Sequence, residues 1–392
     1  MKRTTIKIIT TLSLSLFSTM SLLAFDIKGK SGEQDTKLQI FGFSQLEARG
    51  GDGVIDDDQD ASVKFGAQRV RLGWQYSVGR VKGKVFLDFN QAHDDKSKVG
   101  LPNMIKDAFI TYIPHKAIAV KVGLIKMPMG LGFTIPGWNL DVVERGFDKQ
   151  LAFERGMGIM LSGRDLGFGN DAKVSGFEMG HERPWKGFGY DIMIANQAGR
   201  SGSVTEANLG DANAYVARVS FDWTELLHTE LSYGLSEKAG GVAGTEIDGV
   251  ALTTDSRAYK ALNFGVDSHF GDGANLKFEY YDAKNIRGAD DWDESTIAIT
   301  GTYHITDTVE LATKYIQGVS DKSGVETDLS NTYIGFNYYL EPANNKMSRS
   351  EKRKRNAHRV QVNYVLASGD TDWNGLKGYT DDAILAQYQF KF

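Results

Sequence analysis

Arg69-Val70-Arg71-Leu72-Gly73-Trp74-Gln75-Tyr76-Ser77-Val78 is followed, after Gly79-Arg80, by Val81-Lys82-Gly83-Lys84-Val85-Phe86-Leu87-Asp88-Phe89. In the first run Val70, Leu72, Trp74, Tyr76 and Val78 alternate with Arg69, Arg71, Gly73, Gln75 and Ser77. In the second, Val81, Gly83, Val85, Leu87 and Phe89 alternate with Lys82, Lys84 and Asp88, and Phe86 breaks the pattern. Successive strand side chains point to opposite faces. The two runs therefore read as a hairpin with one greasy face and one charged face.

The same period recurs outward along the chain. Ile118, Val120, Val122 and Leu124 alternate with Ala119, Lys121 and Gly123, and Tyr215 to Trp223 alternates around Arg218, Ser220 and Asp222. Ile334, Phe336, Tyr338 and Leu340 alternate with Tyr333, Gly335, Asn337 and Tyr339; Val360, Val362 and Tyr364 alternate with Arg359, Gln361 and Asn363. The pattern predicts sixteen strands, near 37–47, 62–78, 80–90, 104–113, 117–127, 156–164, 187–196, 213–223, 228–236, 258–270, 274–284, 294–304, 308–318, 331–340, 357–367 and 382–392. With 44 Gly against 6 Pro, all six Pro in turns or loops, the composition suits an all-β chain of many hairpins.

A soluble sandwich alternates in the same way. The links separate it from a membrane barrel. Short links (Gly79, Pro114–Lys116, Thr224–Leu227, Gly271–Gly273, Ile305–Asp307) alternate with long ones (Ala48–Ala61, Gln91–Asn103, Pro128–Arg155, Gln197–Ala212, Glu237–Arg257, Val319–Ser330, Ser368–Asp381). Outer-membrane barrels have short periplasmic turns, long external loops and an even strand count. The parity requires residues 165–186 to form one irregular periplasmic link. The expected fold is a transmembrane antiparallel β-barrel of sixteen strands.

Both ends fit. Residues 1–24 read as a signal peptide, with Lys2, Arg3 and Lys7 before an apolar stretch from Ile8 to Leu23 and Ala24 at the cleavage point. Residues 25–392 are then a single barrel domain of about 368 residues with a formal charge of about −8. At the other end Ile384, Ala386, Tyr388, Phe390 and Phe392 share a face. An aromatic last residue on such a strand resembles the signal read by the barrel-assembly machinery. The chain has no Cys, hence no disulfide framework and no thiolate metal site.

No GxSxG, HExxH, P-loop or EF-hand pattern occurs. His93-Asp94 and His304 near Asp307 come nearest to acid–base pairs. No catalysis, cofactor, metal or nucleic-acid partner is expected. The basic residues placed inward say more: Arg69, Arg71, Lys82, Lys84, Lys121, Arg218 and Arg359. Rows of Arg and Lys select anions in pores, and Arg grips oxyanions two oxygens at a time. Any lumen is polar, however, and Asp88, Asp222, Glu230 and Glu279 face inward too. A second basic feature is the periplasmic link 341–356 with Lys352, Arg353, Lys354 and Arg355. It reads either as a solvated link or as an exit path folded up into the lumen. Two acidic external stretches, 50–60 and 289–294, read as solvated loops. A Ca²⁺ site or divalent bridging to lipopolysaccharide is the lesser alternative.

The link from Lys126 to Arg155 is too long and too rich in aromatics and paired charges for disorder. It is expected to fold into the barrel as a constriction spanning 128–155. Its Lys126, Arg145, Lys149 and Arg155 balance Asp141, Glu144, Asp148 and Glu154, several close enough in sequence to pair with one another. The loop then sets width, and any anion-attracting field comes from the wall.

Four segments resemble the phosphate-selective porin O/P family of Gram-negative outer membranes. They are Arg69-Val-Arg71-Leu-Gly-Trp with Lys82-Gly-Lys84-Val-Phe-Leu-Asp88-Phe; Val120-Lys-Val-Gly-Leu-Ile-Lys126-Met-Pro128-Met-Gly130-Leu; Glu144-Arg145 with Phe153-Glu154-Arg155; and Tyr333-Ile-Gly335-Phe-Asn337-Tyr-Tyr-Leu with Val360-Gln-Val-Asn363-Tyr-Val. The resemblance implies a homotrimer, an inward third loop, and a late periplasmic link able to enter the lumen. It also implies a partial arginine ladder at Arg69, Arg71, Arg145 and Arg155. The expected function is a passive outer-membrane channel for small ions and solutes, anions such as phosphate foremost. A general or weakly cation-preferring porin is the nearest alternative. An adhesin-like surface barrel or an outer-membrane enzyme is the alternative of another class.

Overall fold

A computed structural model describes residues 25–54, 62–92, 104–115, 117–167, 186–196, 213–224, 226–237, 246–247, 250–251, 257–271, 273–341, 357–370 and 372–392. The signal stretch, His93-Asp94, most of the 50–60 acids, residues 168–185 and the basic residues 346–356 lie outside them.

The strands run β1 Phe25–Ser31, β2 Gln34–Gly50, β3 Val63–Val78, β4 Val81–Asp88, β5 Ile105–His115, β6 Ile118–Lys126, β7 Arg155–Leu166, β8 Lys186–Asn196, β9 Asn213–Trp223, β10 Leu227–Ser236, β11 Glu246–Ile247, β12 Val250–Ala251, β13 Tyr259–Phe270, β14 Ala274–Lys284, β15 Trp292–His304, β16 Val309–Lys322, β17 Val325–Tyr339, β18 His358–Gly369 and β19 Ala383–Lys391. Strands β2–β10 and β13–β19 pair antiparallel with their chain neighbours, and β19 pairs back onto β2. This is a closed sixteen-stranded barrel in which every barrel strand has a neighbour on both sides. Closure reaches the last residue: Phe392 and Gly42 exchange backbone hydrogen bonds of 3.0 and 3.1 Å.

Burial is inverted relative to a soluble protein. Ile110, Val122, Ile159, Ile192, Val219 and Ile334 are exposed, while Asp107, Asp191, Asp222, Glu230, Asn263 and Gln361 are buried. Apolar residues face out and polar residues face in, as a barrel in hydrocarbon requires. The protein is an integral outer-membrane β-barrel.

Two expectations need correction. Residues 319–330 are not a long external loop. β16 and β17 run on to a two-residue turn, Lys322 opposite Val325, with Ser323 and Gly324 at φ of 57° and 78°. Positive φ at both central residues matches the twist of a tight hairpin, so the polar residues of this stretch extend strands rather than form a loop. β1 was also not anticipated. It pairs with Gln34–Ile40 of β2, and its alternation is hidden by Lys28, Gly29 and Lys30.

Candidate functional site

β6 and β7 stop short, with Lys126 and Arg155 as register partners, and residues 127–154 connect them. Short helical turns at Leu131–Thr134, Gly137–Asn139 and Phe147–Leu151 organise this third loop. It contacts side chains on the buried face of most of the wall. Gln45 and Gln389 donate to the carbonyls of Gly137 and Trp138 at 2.9 and 3.1 Å. Asn337 donates to Asp141 O at 2.9 Å, and Val143 N donates to Asn363 Oδ1 at 2.8 Å. Gly132 N donates to Glu279 at 2.9 Å. Both arms bury apolar groups: Met127, Met129, Leu151 and Phe153 pack against Ala195, Ala214, Ala261 and Ala283. Farther along, Val142, Val143 and Phe147 pack on Ala298, Ala312 and Ile316.

Glu154 lies 3.4 Å from Arg155 of the same loop, and three other loop acids reach the wall. Asp141 bridges Lys277 at 2.6 Å, Glu144 bridges Arg49 at 3.2 Å, and Asp148 bridges Lys314 at 3.2 Å. The wall supplies these bases because the loop bends its acids outward against β2, β14 and β16. Arg145 is left facing another way. It donates to Gly132 O at 3.0 Å and to Ile135 O, and lies 5.9 Å from the Phe133 ring centroid. Burial, then Arg71 and Arg155, push it down to about 10, and Glu154 and Asp148 oppose this. It therefore stays charged at neutral pH.

Arg145 shares an electrostatic neighbourhood with the predicted candidates Arg69, Arg71, Lys126 and Arg155. Arg69 donates to Gln45 at 2.6 Å and to Gln68. Arg71 bridges Asp88 at 2.8 Å. Asp107 takes both Lys84 (3.3 Å) and Arg155 (3.1 Å). Lys126 donates to Phe133 O and covers that ring at 4.2 Å. Lys121 covers Phe109 at 4.6 Å. Among the described residues, Arg69, Lys121, Lys126 and Arg145 have no carboxylate within ion-pair distance. Asp88, Asp107 and Glu154 each have a base. The sector framed by β3–β7 and the loop is thus cationic on balance.

The other candidates lie elsewhere. Arg218 belongs to a neutralised network: Asp191 accepts from it at 2.7 Å and from Arg164 at 2.9 Å, and Glu230 accepts from it at 3.1 Å. Arg359 is 1 % exposed at the start of β18, among Tyr339, Glu310 and Asp141. Lys82 is half-buried on β4, below Lys84. His304 pairs with Glu310 at 2.9 Å rather than with Asp307. In the stretch 289–294, Asp290 bridges Arg257, Asp293 bridges Lys284 and Glu294 is buried on β15. This acidic stretch is therefore neither uniformly solvated nor a metal cluster among the described residues.

Sequence reasoning missed Lys106, Arg164, Lys277 and Lys314. Lys106 follows an irregular register at Phe86/Leu87. Lys314 sits between Ala312 and Ile316, which are apolar and inward because the loop covers them. Lys277 was detectable, since it stands between Leu276 and Phe278, whereas Arg164 stands between Gly163 and Asp165 at an irregular register.

No family model and no curated protein matches the chain. Solved structures do. OmpT of Vibrio cholerae in its trimer form aligns with a TM-score of 0.59 at 11% identity, covering 91% of this chain and 99% of that one. The outer-membrane channel DcaP of Acinetobacter baumannii gives 0.57 at 14%, covering 93% and 99%. The anion-selective porin from Comamonas acidovorans gives 0.58 at 13%, covering 91% and 100%. At these identities the likeness is one of fold: the chain has the sixteen-stranded barrel of outer-membrane porins.

Proposed function

We propose that the protein is a passive outer-membrane diffusion channel that favours small anions, phosphate among them. The observation that carries this reading is a set of four cations, Arg69, Lys126 and Arg145 at the third loop and Lys121 farther along β6, with no carboxylate within ion-pair distance among the described residues. Guanidinium and ammonium groups held in a narrow lumen replace part of an anion's hydration shell, and they repel cations. The third loop acts as the constriction. Its bonds to β2, β14, β16, β17 and β18 support that role. Transport needs only a gradient.

The motif resemblance to phosphate-selective O/P porins supports phosphate as a solute. The trimer form of a similar barrel supports a homotrimer. Lipopolysaccharide and the assembly machinery are the expected outer-membrane partners. The basic link 341–356 is proposed as the anion exit.

Ion substitution tests the reading. Replacing chloride by a bulky anion should lower single-channel conductance more than replacing potassium by a bulky cation. The opposite order would favour the cation-preferring alternative, for which Glu279, bonded to Gly132 and Asn263 with no base in ion-pair distance among the described residues, is the favourable feature. Added phosphate should reduce chloride current at low millimolar concentration. No reduction would remove phosphate from the proposal.

A further inference from the structure

The inner wall of β2–β6 is more aromatic than a water-filled lumen needs, since lumen-facing positions of such barrels are ordinarily polar. Phe41, Phe43, Phe86 and Phe109 all point inward. Phe86 is the residue that broke the alternation in the sequence. Phe41 and Phe86 stack at 5.3 Å with their planes 25° apart. Gly73 lies between them in register, and a Cβ there would strike the Phe86 ring and the Val85 carbonyl. Phe43 and Phe86 are closed off beneath Trp138 of the third loop, so they serve packing. Phe41 packs against this group and Phe109 against the apolar arms of the loop, yet both stay only half-buried.

Cations sit on the faces of these rings. Lys84 Nζ is 5.6 Å from the Phe41 centroid and 5.1 Å from that of Phe86, and Lys121 Nζ is 4.6 Å from that of Phe109. Lys84 and Phe109 are register partners across β4 and β5, and Thr111 and Lys121 form the next pair toward the periplasm across β5 and β6. Lys84 is engaged by Asp107, whereas Lys121, 5 % exposed, has no carboxylate within ion-pair distance among the described residues and feels Asp191 and Asp107 only at longer range. One patch of wall thus offers an unpaired ammonium beside a half-buried ring.

A compact inorganic oxyanion uses the ammonium and gains nothing from the ring. An anion whose carboxylate is carried on a flat apolar body uses both, because aromatic pairs attract beyond their area burial. We propose that the passage favours aromatic monocarboxylates, with the carboxylate at Lys121 and the ring against Phe109 and Phe41. This rests on the anion reading above.

The test is the permeability of benzoate relative to acetate, from bi-ionic reversal potentials in planar bilayers. Benzoate is the larger ion, so a passage that only sieves gives a ratio below one. The expected ratio is about three to ten, the factor that one aromatic contact supplies. Phe109→Leu should bring it below one, and Phe41→Leu should lower it in part. Each variant's own acetate permeability is the reference, so a general fall in current does not count. A wild-type ratio below one, or a ratio unmoved in both variants, overturns the proposal. If acetate and benzoate are both excluded in favour of potassium, the anion reading itself fails. If both permeate over potassium with a ratio below one, only the aromatic preference fails.

Discussion

At the residue scale, the site depends on which charges cancel. Asp107 is 1 % exposed and neutralises both Lys84 and Arg155. Asp107→Asn should strengthen anion selectivity, because two bases lose their partner. It should also destabilise the barrel by on the order of 3 kcal/mol, the cost of breaking a buried pair. Shifts in reversal potential and in thermal unfolding midpoint check the two parts. Arg145→Ala should do the opposite to selectivity, weakening the preference for anions and raising conductance as the loop loses the bonds to Gly132 and Ile135. Arg145 stays charged across the neutral range, so the difference between wild type and Arg145→Ala should hold from about pH 6 to about pH 8. Below about pH 5 ordinary carboxylates take up protons, the net charge of the passage rises, and anion preference should increase. Reversal potentials recorded across that range decide it. The basic positions Arg69, Arg71 and Lys84 were legible in the sequence, because strand alternation fixes direction. Their partners were not, because Asp107 and Arg155 are brought together across strands β5 and β7, which are not adjacent.

At the element scale, the third loop is held by three ion pairs, by its apolar arms and by two left-handed glycines. Gly130 and Gly146 have φ of 83° and 84°. A Cβ at Gly130 would strike the Tyr281 hydroxyl, and one at Gly146 would strike Ile316 Cδ1. A side chain at either position costs about 1–3 kcal/mol for the backbone alone. Gly130→Val and Gly146→Val should therefore unseat the loop without opening the barrel. Larger, noisier single-channel currents with unchanged strand content by circular dichroism are expected. The loop's length, prolines and charge balance were readable in advance. Its internal pairing was not: Glu144 and Arg145 are neighbours in the chain yet face different ways, the first to Arg49 and the second to the carbonyls of Gly132 and Ile135. Sequence proximity suggested mutual neutralisation, and the fold instead spends the acids on the wall.

At the scale of the whole molecule, one period of two carried nearly the entire fold. All sixteen barrel strands were expected in place, because a residue facing lipid and a residue facing water cannot exchange roles. Where the wall is covered by protein on the inside, as at Ala312 and Ile316, both faces are apolar and the reading blurs. The hairpin at Ser323-Gly324 was missed because polar strand extensions beyond the membrane look like loop. Closure rests on Gly42, whose outward side is covered by the Phe392 ring. Gly42→Val or loss of Phe392 should reduce the heat-modifiable, folded fraction in the outer membrane by several-fold, read by gel mobility before and after boiling. Equal folded fractions would mean that closure does not depend on this contact.

The central claim is that the passage beside the third loop carries a net positive field. It is tested most directly by the zero-current potential of the wild-type channel in a planar bilayer under an about tenfold KCl gradient. The account predicts a potential of the sign set by chloride moving down its gradient, diminished in Arg145→Ala. A potential of the sign set by potassium would contradict it.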